Sequence, residues 1–232
     1  MAIIFAGGAG KRLRHDELPK QFRTAGGKPV IIHTLEHFQE HPAIDAIYVS
    51  CLEGWQEQLV GLVEDYEIDK VCDITHAGVT AMESIFYALR AAARDWEPES
   101  LAFIHDAVRP VLEPGQLSRL LVMARERGNA VSCSRATETC LVSRDGELAE
   151  LIPDRNHIFM AQAPQVFALG HLLNAHEELH AVNPSYAGVV DCATLMKNRG
   201  DEIHLCVGGY GNLKLTYPQD LAYFPGLLES RE

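Results

Sequence analysis

The residues of this chain best suited to chemistry stand near its start. Phe5-Ala6-Gly7-Gly8-Ala9-Gly10-Lys11-Arg12-Leu13 carries an apolar strand into three glycines and then two cations. Glycine lets the backbone adopt positive φ and approach a ligand closely. The N–H groups bared in such a turn can cradle phosphate oxygens. Lys11 and Arg12 would neutralise charge there, Arg12 with a bidentate grip. Two better-known phosphate motifs do not fit. A Walker A loop needs Ser or Thr after its lysine, where this chain has Arg12, and the dinucleotide fingerprint needs a third glycine where it has Leu13. A Gly-rich segment alone can be no more than a tight strand-to-helix turn. The neighbouring Leu18-Pro19-Lys20-Gln21-Phe22 adds weight, because Pro19 restricts the backbone just before Lys20 and so holds that cation in place.

A second candidate is Ile104-His105-Asp106-Ala107-Val108-Arg109-Pro110. Asp106 ends an apolar run that reads as a central strand, and ligands of open α/β sheets gather at the carboxyl ends of strands. A carboxylate there suits Mg²⁺ bound together with substrate phosphates. Arg109 is expected to pair with a nearby acid and fix the loop. Two further strings mimic zinc sites. His176-Glu177-Glu178-Leu179-His180 fits H-E-x-x-H, and His33-Thr34-Leu35-Glu36-His37 fits the inverted H-x-x-E-H. A zinc hydrolase using His176, Glu177 and His180 is therefore the distant alternative. Neither string has an identifiable third ligand, and two such motifs cannot both be catalytic in one small domain.

The elements that must position these groups are legible in outline. The 232 residues are 47% hydrophobic and 22% charged, ordinary values for one soluble globular domain. The net charge of −12 argues against general nucleic-acid binding. Residues 1–28 nevertheless hold six cations (Lys11, Arg12, Arg14, Lys20, Arg23, Lys28) against Asp16 and Glu17, a basic island suited to an anionic ligand. No run is long enough to span a bilayer, and the apolar start is too short for a signal peptide. A cytoplasmic location with six reduced cysteines is expected. Strands at 2–6, 46–51, 71–74, 101–105 and 129–134 alternate with helices at 29–41, 55–65, 81–95 and 115–127. That alternation predicts an α/β fold, a mostly parallel twisted sheet with helices on both faces. After Ser134 the pattern changes. Arg144-Asp145-Gly146 between two apolar stretches predicts a protruding β-hairpin arm at 136–151, which must pack on something, a second subunit being a natural candidate. A helix at 168–180, strands at 204–208 and 213–217 and a last helix from Pro218 complete the reading.

With these residues in view, the chain resembles the cytidylyltransferases that act on methylerythritol phosphate and ribitol phosphate. Five segments carry the resemblance in order along nearly the whole length: FAGGAGKRL, LPKQF, HDAVRP, IPDRNHIFMAQAPQVF and GNLKLTYPQDL. The resemblance implies a single Rossmann-like nucleotidyltransferase domain over 1–232, with a dimerisation arm at about 136–156 in a homodimer. It implies transfer of CMP from CTP to a polyol phosphate with Mg²⁺ and release of pyrophosphate. Ala6, Gly7, Gly8, Gly78 and Ser84 would line the CTP site. Arg12, Lys20 and Lys214 would handle the reacting phosphates, and Asp106 would ligate Mg²⁺. Thr139 and Arg155 of the arm would reach the polyol phosphate, in the partner's site. The methylerythritol pattern is broken at Ala81, where Arg is usual, at Ala163 and Val190, where Thr is usual, and at Gly211, where Asp is usual. The segments IPDRNHIF and GNLKLT look closer to the ribitol-phosphate branch, so the resemblance favours D-ribitol 5-phosphate, giving CDP-ribitol for a cell-wall polysaccharide, over 2-C-methyl-D-erythritol 4-phosphate of isoprenoid biosynthesis. A nucleotide-binding protein without catalysis and a preference for UTP or GTP are further alternatives.

Overall fold

The computed structural model describes residues 1–8 and 18–229. Its strands are β1 (Ala2–Ala6), β2 (Thr24–Ala25), β3 (Lys28–Pro29), β4 (Ile47–Cys51), β5 (Val71–His76), β6 (Leu101–Asp106), β7 (Asn129–Arg135), β8 (Phe159–Ala168) and β9 (Leu205–Val207). Its helices are α1 (Val30–Glu40), α2 (Gln56–Asp65), α3 (Ala81–Ala92), α4 (Gln116–Arg127), α5 (Leu169–Val182), α6 (Cys192–Asn198) and α7 (Pro218–Glu229). Seven strands form one sheet in the order β5-β4-β1-β6-β8-β7-β9, and β2 pairs with β3 apart from it. Within the seven-stranded sheet β8 alone runs against its neighbours; the β1–β4, β1–β6, β4–β5 and β7–β9 ladders are parallel, and the separate β2–β3 pair is antiparallel.

Alternation along β1 assigns its side chains to the two faces. Ala2, Ile4 and Ala6 join a core with Ile31, Leu35 and Phe38 of α1, Leu59 of α2 and Leu120 of α4. Met1 and Ile3 join the opposite core with Ile85 and Leu89 of α3, Leu172 of α5 and Leu195 of α6. Burying each such large side chain contributes about 1.5–3 kcal/mol, so a strand apolar on both faces is driven to the centre of the sheet. A third, smaller cluster seats Val108, Val111, Val30, Leu215 and Phe224 together and fastens α7 over the loop that follows β6.

Three features depart from the sequence expectation. β8 is a ten-residue strand that begins inside IPDRNHIFMAQAPQVF and carries one of that segment's two prolines, Pro164. Pro164 lies where the β7–β8 register skips, between the pairs Val131–Gln165 and Cys133–Ala161, so the ladder loses no bond at a regular position. The expected strand at 213–217 is not one. Leu215 N–H donates to Val108 O, and the segment otherwise packs through Leu213 and Leu215 into the third cluster. The arm is present, but not as a regular hairpin: a single antiparallel bridge joins Val142 and Leu151. Its tip does turn at Asp145-Gly146, where Asp145 Oδ1 accepts from the N–H groups of Glu147 and Leu148.

Candidate active site

The carboxyl ends of β1 and β6 open into a cleft of about 470 Å³. Its walls bring together Ala6 at the end of β1, Gly7 and Gly8 after it, Lys20, Gly78 before α3 and Ser84 within it, Asp106 at the end of β6, and Lys214. Gly7 is required by closeness: a Cβ there would overlap Ala77 Cβ and stand 2.8 Å from the Ser84 hydroxyl. On the opposite wall Ser84 Oγ donates to Thr80 O at 2.8 Å and accepts from Gly78 N–H at 3.0 Å. Thr80 caps α3 by accepting from Glu83 N–H, and Glu83 in return accepts from Val79 N–H. This is a variant of the capping box. It holds the Gly78 loop still and leaves the positive end of the α3 dipole on the cleft wall.

Lys20 is presented by a 3₁₀ turn, Lys20–Phe22. Phe22 is buried and stacks on Trp55 with ring centroids 5.1 Å apart. Gln21 is buried and donates from Nε2 to Ala6 O at 2.7 Å.

Asp106 is the centre of charge. Its Oδ1 is 2.6 Å from Lys214 Nζ and its Oδ2 3.0 Å from Arg109 Nε. Burial pushes the carboxyl pKa up, but Lys214 and Arg109 outweigh that and hold it below the usual carboxylate range. Arg109 therefore pairs with a nearby acid, as the sequence suggested. It also donates from Nη1 to Asn212 O, and Asn212 Nδ2 donates to Ala163 O. Asn212 thus ties the segment bearing Lys214 to β8 and to the loop after β6.

A smaller hollow of about 210 Å³ continues from the cleft, sharing Phe5, Ala81, Asp106 and Lys214 with it. Its far wall carries Ala163, Gln165, Val190 and Asp191. Gln165 Nε2 donates to Asp191 Oδ2, and Asp191 Oδ1 caps α6 by accepting from Thr194 N–H.

Arg12 lies outside the described residues. Thr139 and Arg155 are exposed on the arm, Arg155 donating to Thr137 O, and neither lines the cleft. The zinc strings are spent on packing. His176 is fully buried between Phe86 and Tyr186, accepts or donates at Tyr186 Oη, and has its pKa pushed down to about 3 by burial. Glu177 is exposed. His33 and His37 bond the carbonyls of Ala25 and Pro110, and Glu36 pairs with Lys28. Among the described residues, no group of three or more His, Cys, Asp or Glu is placed to hold a metal unaided. Gln21, Asn212, Gln165 and Asp191 escaped the sequence reading as site residues. The position of Gln21 directly after Lys20 was the one available signal.

A family model for 2-C-methyl-D-erythritol 4-phosphate cytidylyltransferase, IspD, matches residues 1–230. The chain belongs to this cytidylyltransferase family. It is accordingly a nucleotidyltransferase, with CTP and a polyol phosphate as the family's substrates. A ribitol-5-phosphate cytidylyltransferase of Streptococcus agalactiae serotype III (strain NEM316) is 35% identical over 232 residues, covering 100% of this chain and 96% of that protein. A 2-C-methyl-D-erythritol 4-phosphate cytidylyltransferase of Clostridium botulinum (strain Langeland / NCTC 10281 / Type F) is 32% identical over 227 residues, 98% of this chain and 96% of that one. The crystal structure of Francisella tularensis 2-C-methyl-D-erythritol 4-phosphate cytidylyltransferase superposes with a TM-score of 0.81 at 26% identity, covering 97% of this chain and 98% of that one. The fold is thus the Rossmann-like one of this cytidylyltransferase family. Of the positions where the chain departs from the methylerythritol pattern, Ala81, Ala163 and Val190 all line the smaller hollow.

Proposed function

We propose that the chain transfers the CMP moiety of CTP to D-ribitol 5-phosphate, forming CDP-ribitol and releasing pyrophosphate. The observation that carries this reading is the convergence of Gly7, Gly8, Lys20, Asp106 and Lys214 on one cleft. The nucleoside would lie against Ala6, Gly7, Gly8, Gly78 and Ser84. A phosphate oxygen of the polyol attacks the α-phosphorus in line, and the bond from that phosphorus to the pyrophosphate oxygen breaks, its electron pair leaving with pyrophosphate. A phosphate monoester already carries close to two negative charges at neutral pH, so the nucleophile needs no general base. Catalysis is then orientation and charge neutralisation. Lys20 and Arg12 would serve the triphosphate. Lys214, between the two hollows, would serve both the attacking phosphate and the α-phosphate.

Asp106 suits Mg²⁺. It supplies a hard oxygen donor at the cleft wall, and two ion pairs leave part of its lone-pair capacity unused. One carboxylate together with substrate phosphates is a usual protein share of a Mg²⁺ site. When bound there, Mg²⁺ would neutralise charge on the phosphates of CTP.

Two observations favour ribitol 5-phosphate as acceptor. The relative named for it is 35% identical over the whole chain, against 32% for the methylerythritol enzyme. The smaller hollow also presents Ala163 and Val190, without hydroxyls, where the methylerythritol pattern has threonines. Thr139 and Arg155 would complete the polyol site from the arm of a second copy, making the enzyme a homodimer. We place it in the cytoplasm, a reading supported by six cysteines that are all free thiols. Among the described residues no helix is long and apolar enough to cross a membrane.

Pyrophosphate release from CTP and Mg²⁺ with ribitol 5-phosphate, 2-C-methyl-D-erythritol 4-phosphate and glycerol 3-phosphate tests the assignment. Ribitol 5-phosphate should give the highest kcat/KM. A higher value with methylerythritol phosphate would move the enzyme to the other branch.

A further inference from the structure

We infer that Gln21 is a positioning residue for the triphosphate of CTP, acting through Lys20; this rests on the cytidylyltransferase reading above. Gln21 lines the nucleotide cleft, yet it is only 1% exposed. A polar side chain so deeply buried is normally bonded at both ends. Here Nε2 donates to Ala6 O, while Oε1 is buried without a partner among the described residues. An apolar side chain of the same length would fill the space but would take from the buried Ala6 carbonyl the donor that Nε2 supplies. The presence of glutamine is explained by what its single bond joins.

Ala6 is the last residue of β1 and immediately precedes Gly7. Gln21 immediately follows Lys20 in a three-residue 3₁₀ turn. That turn is closed by Phe22 N–H on Pro19 O and Arg23 N–H on Lys20 O. Fixing Gln21 in so short a turn fixes the Cα of Lys20. The bond therefore sets the distance between two phosphate-binding elements: the glycine N–H groups after β1 and the Lys20 ammonium. Phe22, stacked on Trp55, anchors the other end of the turn to the core. The two anchors differ in consequence. Losing the aromatic one would loosen the fold, whereas losing the amide one would let Lys20 drift from the glycine turn while the core stays packed.

The test compares CTP with CMP by isothermal titration calorimetry. Gln21→Met keeps the side-chain length and removes the donor. Gln21→Asn keeps the amide and withdraws it from Ala6, and it serves where the first variant does not fold. In either variant the affinity for CTP should fall on the order of 10-fold, the scale of a bond to a charged group, with CMP affinity unchanged. The loss should disappear in a Lys20→Ala background, because both changes remove the same contact. Parallel losses for CTP and CMP, or losses that add in the double variant, would overturn the role of Gln21. A wild-type chain that binds neither nucleotide would overturn the cytidylyltransferase reading itself.

Discussion

Asp106 shows how one carboxylate can organise a cleft. It is 6% exposed and holds Arg109 and Lys214 on separate oxygens. Replacing it by Asn would leave Arg109 facing a neutral group in a nearly buried position. Lys214, 42% exposed at its side chain, could turn to water instead. Breaking a buried pair costs about 3 kcal/mol, and most of that should come from the Arg109 side. Asp106→Asn should therefore lower the urea midpoint clearly at pH 7. The pH dependence has a fixed sign. The folded pKa lies below the ordinary 3.8, so the contribution is complete above 3.8 and is lost as the pH falls through the folded value. The gap between wild type and variant should hold from neutrality down to roughly pH 4 and close below it; a gap that stayed open in acid would contradict the electrostatic account. At this scale the sequence was informative where type and neighbourhood coincide. Glycines beside cations and an Asp at a strand end flagged Gly7, Gly8, Lys20 and Asp106. Asn212 and Gln165 were not legible. Their partners, Ala163 O and Asp191, lie 49 and 26 residues away, and an amide bonded to a distant group leaves no local pattern.

Elements were legible when their own periodicity decided them. β1, β4, β6 and the helices between them follow from apolar runs and 3.6-residue spacing, because each element carries its own buried face. β8 was missed since Pro164 and scattered polar residues hide a strand that neighbours on both sides complete. The stretch 213–217 erred the other way. Its alternation is real, with Leu213 and Leu215 turned to the third cluster, but among the described residues no strand lies alongside to pair with it. Alternation reports a buried side; a ladder requires a neighbour. α3 offers a test at this scale. Its first turn lines the cleft, and Thr80 Oγ1 satisfies one of the N–H groups there. Thr80→Ala should cost about 1 kcal/mol in urea denaturation, and Thr80→Ser close to nothing. The same alanine should weaken CTP binding, because an uncapped helix end lets the Thr80 backbone carbonyl move, and Ser84 Oγ, which receives Gly78 N–H, is held by donating to that carbonyl. Equal stability of the alanine and serine variants would show that the cap does not hold the helix end.

At the scale of the molecule, the arm raises the question of what completes the acceptor site. Leu141, Leu148, Leu151 and Ile152 are all more than half exposed on it, and the Val142–Leu151 bridge and the bonds at the base of the arm do not bury them. Apolar surface gathered on a protrusion is the composition of a contact between molecules. In a two-fold dimer each arm would cover the neighbour's cleft, and each site would combine the Lys20 of one subunit with the Arg155 of the other. That arrangement predicts complementation. Lys20→Ala and Arg155→Ala chains should each be nearly inactive alone. Co-expressed, half of the dimers are mixed, and in each mixed dimer one site combines both defects while the other has neither. The mixture should then regain roughly a quarter of wild-type activity. If both residues acted within one chain, every site in the mixture would carry one defect and no activity would return. Sedimentation of the wild type and of Leu148→Asp/Ile152→Asp gives the second arm of the test: the first should run as a dimer and the second as a monomer without transferase activity.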